Sequence, residues 1–290
     1  MASLAVLLKL RGHIVSGSDE NVYPPMSDFL AENNVPVNKG FSSKNLEHLP
    51  DLVVIGNALS RGNSEVEAIL DLKIPYISMA ELLKEHFIRG KTSLVVTGTH
   101  GKTTATSMLA WVFEKAGKTP GFMIGGIAEN FETSCRDAKG NFFITEGDEY
   151  DTAFFDKRSK FFHYLPEQLI INNLEFDHAD IFNSLDEIKN AFQLMLRLIP
   201  KRGLISANGD DPNVNSILDS AHSPVIRFGF GELCDVKAEN TRISATGTKF
   251  DVIDKRSGDF SQKQDFELNI AGKYNVLNAL GVITLARHNG

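Results

Sequence analysis

One short glycine-rich segment holds the residue types that phosphate chemistry requires. Val95, Val96 and Thr97 lead into Gly98, Thr99, His100, Gly101, Lys102, Thr103 and Thr104, and an apolar helical pattern follows. Glycines let backbone N–H groups converge on phosphate oxygens, and the amino end of a helix adds the positive end of its dipole. Lys102 supplies a mobile charge, and the Thr103 hydroxyl suits Mg2+. The general loop G-x-x-x-x-G-K-[ST] would place its first glycine where this chain has Val96. A glycine turn without a ligand is the plainer reading, and Gly-Lys-Thr-Thr between a strand and a helix argues against it.

Phosphoryl transfer also needs cations to neutralise the transferring group, so hard oxygen ligands are expected near such a loop. Residues 142–145 read as a strand and run into Glu146, Gly147, Asp148, Glu149, Tyr150 and Asp151. A second strand, at 169–172, runs into Asn173, Leu174, Glu175, Phe176, Asp177, His178, Ala179 and Asp180. Carboxylates at the carboxyl ends of parallel strands point into the crevice that the loop faces. These two polar runs, which include Glu146 and His178, are the candidates to act with Lys102, against the alternative of solvated acidic turns.

These residues must be placed by an α/β scaffold, because strand-like apolar runs alternate with amphipathic helices along the chain. The reading is a Rossmann-like domain over residues 1–89, followed by a P-loop-type ATPase domain with a mostly parallel sheet over 90–290, joined by a linker at 87–92. In the first part, residues 13–16, 52–55 and 74–77 read as strands, while Ser64 with Glu67 and Ser78 with Glu81 have the spacing of capping boxes. In the second, strands are expected at 94–97, 142–145, 169–172, 203–206 and 225–228. Helical spacing from Ala105 to Ala116 stops at Gly117, and a helix opened by Ser184 and Glu187 is expected to run to Pro200. Residues 235–268 alternate like a hairpin or meander. Residues 1–10 read as a helix with no preceding strand or glycine turn, so the expectation is either that the numbered chain begins downstream of its natural start or that something else supplies that strand.

Composition narrows the function classes. The 290 residues carry a net charge of −7 with both signs interspersed, which offers no basic face to a nucleic-acid backbone. The apolar run near the start contains Lys9 and is too short to span a bilayer, so the expected location is the cytoplasm, with no membrane partner. Cys135 and Cys234 lack the spacing of a metal site or a disulfide framework.

Gly-Thr-His-Gly-Lys-Thr-Thr resembles the ATP loop of the Mur ligases, and the stretches from Glu146 to Asp151 and from Asn172 to Asp180 resemble that family's acidic and D-H-x-D motifs. Residues 271–280, Ala-Gly-Lys-Tyr-Asn-Val-Leu-Asn-Ala-Leu, resemble its G-x-H-N-x-x-N-A stretch, with Tyr274 in place of histidine. The resemblance implies ATP and Mg2+ as cofactors. It implies ATP contacts from the loop residues with Asn275 and Asn278, and Mg2+ held by Thr103 and Glu146, with a second Mg2+ at His178. Asn275 has the competing reading of a helix cap. Gln193 stands where several members carry a modified lysine, so the other ligands of the second ion stay unassigned. Asp19, Asn57 and Asn130 are the candidates toward a UDP sugar.

Within the family, the run from Glu149 to Phe161 is most similar to the branch that rejoins L-alanyl-γ-D-glutamyl-meso-diaminopimelate to UDP-N-acetylmuramate, making that nucleotide sugar and a murein tripeptide the expected partners. The branch that adds L-alanine is the alternative, as is a nucleotide-binding module without ligase chemistry. The resemblance further implies that a third, C-terminal domain is absent and that the chain alone is inactive. The segment at 125–130 and the cations Lys157 and Arg158 are read as a loop and a pair that face substrate anions, or as plain solvated positions.

Overall fold

The computed structural model describes residues 1–177, 181–256 and 263–290. The first stretch contains α1 (Ala2–Leu10), β1 (Gly17–Asp19), α2 (Met26–Glu32), β2 (Val37–Lys39), β3 (Val53–Ile55), α3 (Ser64–Asp71), β4 (Tyr76–Ser78) and α4 (Met79–Leu83). Its strands form two parallel pairs, β1 with β2 and β3 with β4. The strand expected at 13–16 forms later, at Gly17, because Ile14 is fully exposed and pairing starts only where Gly17 N–H reaches Pro36 O at 3.0 Å. Likewise Ile74, expected to open a strand, is a core residue packed with Ile55 and Ile69, and β4 begins beyond Pro75.

Ser78 and Glu81 form the expected capping box at α4. At α3 the cap is instead Asn63, whose side chain accepts from the amides of Glu65 and Val66; Glu67 is taken by Arg61 and Gly62 N–H. The expected linker at 87–92 is only partly a connection. A π-helical turn, Lys84–Ile88, buries Phe87 and Ile88 in the core, and the Arg11 guanidinium lies 3.9 Å from the Phe87 ring centre.

The remainder builds one ten-stranded sheet and a small hairpin. Its elements are β5 (Thr92–Thr97), α5 (Lys102–Lys115), β6 (Gly121–Ala128), β7 (Thr133–Arg136), β8 (Phe142–Glu146), β9 (Asp151–Ala153), β10 (Asp156–Ser159), β11 (Gln168–Ile171), α6 (Leu185–Leu196), β12 (Leu204–Asn208), α7 (Pro212–Ile217), β13 (Val225–Gly229), β14 (Val236–Ile243), β15 (Thr248–Asp254), β16 (Gln264–Leu268) and α8 (Lys273–His288). The sheet order is β16-β15-β14-β13-β12-β11-β5-β8-β6-β7, with β9 and β10 paired separately. β5 lies between β8 and β11 and is parallel to both. The described residues within 235–268 give the antiparallel meander β14 to β16 at one edge. The helix at Ser184 stops at Leu196, short of Pro200.

Side chains of β5 alternate between two cores, as the period of a strand requires. Val95 packs with Leu169, Ile171 and residues of α6, while Leu94 and Val96 pack with Ile144, Ile170 and residues of α5 and α8. All three β5 residues are fully buried, each contributing about 1.5–3 kcal/mol. A strand apolar on both faces belongs in the middle of a helix-covered parallel sheet. This placement sets the carboxyl end of β5, and the loop after it, beside the ends of β8 and β11.

Candidate functional site

The loop leaves β5 at Thr97 and enters α5 at Lys102, bent by two glycines in left-handed geometry, Gly98 (φ +128°) and Gly101 (φ +83°). A side chain would crowd its neighbours at both. A Cβ on Gly98 would stand 3.0 Å from the Asn173 backbone, and one on Gly101 would stand 2.5 Å from Asn278 Oδ1. Asn173 clasps the loop from the end of β11: its O accepts from Thr99 N–H at 3.2 Å and its Oδ1 from His100 N–H at 2.8 Å. Beneath Gly101, Asn172 Nδ2 donates to Asn278 Oδ1 at 2.9 Å, while Asn172 Oδ1 is buried with no hydrogen-bond partner among the described residues.

The first intrahelical bond of α5 runs from Ala105 N–H to Gly101 O, which leaves the amides of residues 102–104 without helical acceptors. Lys102 Nζ folds back to donate to Gly98 O at 2.8 Å and to Glu149 at 3.0 and 3.1 Å. Thr103 Oγ1 donates to Glu146 Oε2 at 3.1 Å, and Gly125 N–H donates to Glu146 Oε1 at 2.6 Å. Burial pushes the Glu146 carboxyl above its ordinary value, with the Gly125 amide and the Thr103 hydroxyl pulling the other way. A hydroxyl and a carboxylate 3.1 Å apart at the start of a helix are the hard oxygens that Mg2+ prefers, and the free helical amides fit phosphate. The loop and this oxygen pair therefore fit a magnesium-bound polyphosphate.

The expected site residues thus divide. Gly98 to Thr104, Glu146 and Asn278 gather around the loop. Asn275 is not the cap of α8; that position is Gly272, and Asn275, one turn in, donates to Ala271 O and lies 3.5 Å from Asn278 Nδ2. His178 lies outside the described residues.

Asp19 ends β1 and Asn57 lies just beyond β3; Asp19 acts electrostatically on the Met1 amino group, and the Cβ position of Gly56, next to Asn57, is 3.6 Å from Met1 Cγ. Asn130 sits in the exposed turn between β6 and β7. The loop expected at 125–130 is mostly strand: Gly125 to Ala128 belong to β6, where Gly125 serves Glu146. Lys157 and Arg158 are exposed, as the solvated reading expects, and each is ion-paired: Asp151 binds the first at 2.6 Å and Asp156 the second at 2.7 Å. Glu149, Asn172 and Asn173 are site residues that the motifs did not single out. Their one signal in the sequence is polarity just beyond a buried strand.

The Mur ligase middle domain matches residues 96–286, and the Mur ligase family catalytic domain matches residues 1–90. The chain belongs to the Mur ligase family. It is 41% identical over 290 residues to the UDP-N-acetylmuramate--L-alanyl-gamma-D-glutamyl-meso-2,6-diaminoheptandioate ligase of Escherichia coli (strain K12), covering 100% of this chain and 62% of that protein. To the UDP-N-acetylmuramate--L-alanine ligase of Acidithiobacillus ferrooxidans (strain ATCC 53993 / BNL-5-31) it is 33% identical, covering 100% and 61%. The crystal structure of the UDP-N-acetylmuramate:L-alanyl-gamma-D-glutamyl-meso-diaminopimelate ligase from Neisseria meningitides is similar at a TM-score of 0.91 and 43% identity, covering 100% of this chain and 90% of that one. The chain spans about 62% of the length of the curated tripeptide ligase it matches. In this Mur ligase chain, no helix among the described residues is long and apolar enough to cross a membrane.

Proposed function

We propose that this chain forms the UDP-sugar-binding and ATP-binding parts of an ATP-dependent ligase that joins L-alanyl-γ-D-glutamyl-meso-diaminopimelate to UDP-N-acetylmuramate. Residues 1–89 take the nucleotide sugar, with Asp19, Asn57 and Asn130 toward it, and residues 90–290 take ATP. The higher identity to ligases named for the tripeptide, 41% against 33% for a relative named for L-alanine, supports that branch over the alternative. The cytoplasm is where both proposed substrates would be met.

The observation that carries the ATP reading is the loop itself, where free helical amides, Lys102 and the Thr103–Glu146 oxygen pair converge. Thr103 and Glu146 would hold Mg2+, with His178 toward a second ion, and Mg2+ supplies positive charge where phosphoryl charge develops. Lys102 binds the terminal phosphates, Asn275 and Asn278 line the nucleotide side, and the buried asparagine floor fixes the loop so that its amides need no rearrangement during reaction. Activation of the muramyl carboxylate as an acyl phosphate, then attack by the tripeptide amine, is the chemistry in keeping with the family. Titration of Mg2+ and ATP into the chain by calorimetry tests the site: Lys102→Ala is expected to weaken binding at least roughly tenfold, the loss of one charge-assisted contact of about 1.5–3 kcal/mol. Unchanged affinity in that variant removes the loop from the reading.

A further inference from the structure

Lys102 is the cation that should meet phosphate, yet its ammonium is already engaged by protein. It donates to Gly98 O at 2.8 Å, to Thr99 O at 3.3 Å and to both Glu149 oxygens at 3.1 and 3.0 Å. An ammonium has three donors, and these acceptors occupy all of them. The side chains of the pair are 16% and 4% exposed, so solvent screens their attraction far less than at a surface.

The surrounding charges lean the same way. Lys160 is ion-paired with Asp148 at 2.8 Å, and Glu146 adds a further carboxylate beside Thr103. His100, the remaining basic side chain of the loop, lies 3.7 Å from Glu175. Each lysine here is matched by an acid, and Glu146 and Glu175 are carboxylates beyond those two pairs. The end of β8 thus delivers Glu146 to the Thr103 hydroxyl and, three residues later, Glu149 to the Lys102 ammonium. A bare polyphosphate approaching the loop meets no net positive charge.

We infer that Glu149 is a positioning residue that holds and neutralises Lys102 before nucleotide arrives, so that the loop accepts a polyphosphate only together with a divalent cation. The inference rests on the ATP reading above. The cation brings the positive charge that Glu149 takes from Lys102, and once phosphate is seated the ammonium exchanges acceptors from Glu149 to phosphate oxygens.

The test is calorimetric titration of ATP into the full chain, in MgCl2 and separately in EDTA, for the wild type, Glu149→Gln, Glu149→Ala, Glu149→Asp, Lys102→Met and the double variant Lys102→Met with Glu149→Gln. The neutral variants are expected to bind metal-free ATP on the order of tenfold more tightly than the wild type, because the Lys102 ammonium then meets phosphate without a counter-ion to leave. Glu149→Asp should keep the wild-type ratio of the two affinities. In the Lys102→Met background the gain should vanish, which a merely structural role for Glu149 would not produce. A folded neutral variant with an unchanged ratio overturns the inference and leaves the ATP site standing. Wild-type chain that binds no ATP even with Mg2+ overturns both, and loss of a cooperative melt in both neutral variants makes Glu149 structural and overturns the inference alone.

Discussion

Alanine at Gly101 places a methyl group where the site has no room. Its Cβ would lie 2.5 Å from Asn278 Oδ1 and 3.2 Å from Asn172 Nδ2, on a residue held at φ +83°. Left-handed geometry costs an alanine about 1–2 kcal/mol. Pushing Asn278 aside breaks the buried 2.9 Å bond from Asn172 and strands an amide, about 1–3 kcal/mol more. The sum of roughly 2–5 kcal/mol, at about 2–4 °C per kcal/mol, predicts a fall in Tm on the order of 10 °C. Differential scanning calorimetry of Gly101→Ala beside Gly117→Ala separates the contributions, because Gly117 has φ +72° and nothing within 4 Å of its Cβ site. If the loop lifts instead of pushing Asn278, the melt suffers less and Mg2+-dependent ATP binding suffers more. A variant that melts within about 1 °C of Gly117→Ala, less than 1 kcal/mol apart, and also keeps wild-type nucleotide affinity refutes the packing argument.

Two further outcomes follow from buried titratable groups. Burial holds His163 below the ordinary value of 6.5, despite Asp156 Oδ2 at 2.9 Å and the nearby Glu81, with Arg158 acting in the same direction as burial. Below pH 6.5 the unfolded chain therefore carries the extra proton, and stability should fall with acidification by at most about 1.4 kcal/mol per pH unit. Urea midpoints between about pH 7.5 and 5.5 should slope less in His163→Gln than in the wild type; equal slopes would exclude His163 as the source. Asp156, held far below its ordinary 3.8 by Arg158, contributes its own loss only at more acidic pH. Burial also pushes Cys135 and Cys234 up to about 11, so a disulfide reagent at pH 8 should meet little thiolate and react with both only after unfolding in urea. A rapid stoichiometric phase in the native chain would contradict that environment.

The glycine loop was legible because every local cue agrees there. An apolar strand, two glycines that need left-handed backbone, and helical spacing up to Gly117 all lie within one short stretch. The edges were less legible. β6 carries Gly125 and Gly126, which weaken any strand pattern, and it is recognisable only from its partner β8 and from the service Gly125 gives Glu146. The segment around Phe87 looked like a linker because polar residues surround it, whereas its aromatic ring is committed to the core. Glu149 was hidden for a different reason: its partner Lys102 is 47 residues away, and one acid in an acidic run carries no mark of which cation it will meet.

The clasp around the glycine loop also bears on the order of folding. His100 is bonded by a residue 73 positions later, and the asparagine pair beneath Gly101 spans a further 106 positions. Such contacts have high sequence separation, and the entropy of closing those loops must be met before the contacts can repay it. Strand β5 and helix α5 can form early, but the turn between them has no reason to hold its bent shape until β11 and α8 have docked. The bent geometry of the loop is then among the last features the chain acquires, so a nucleotide bound there would stabilise the finished fold and give no help in nucleating it.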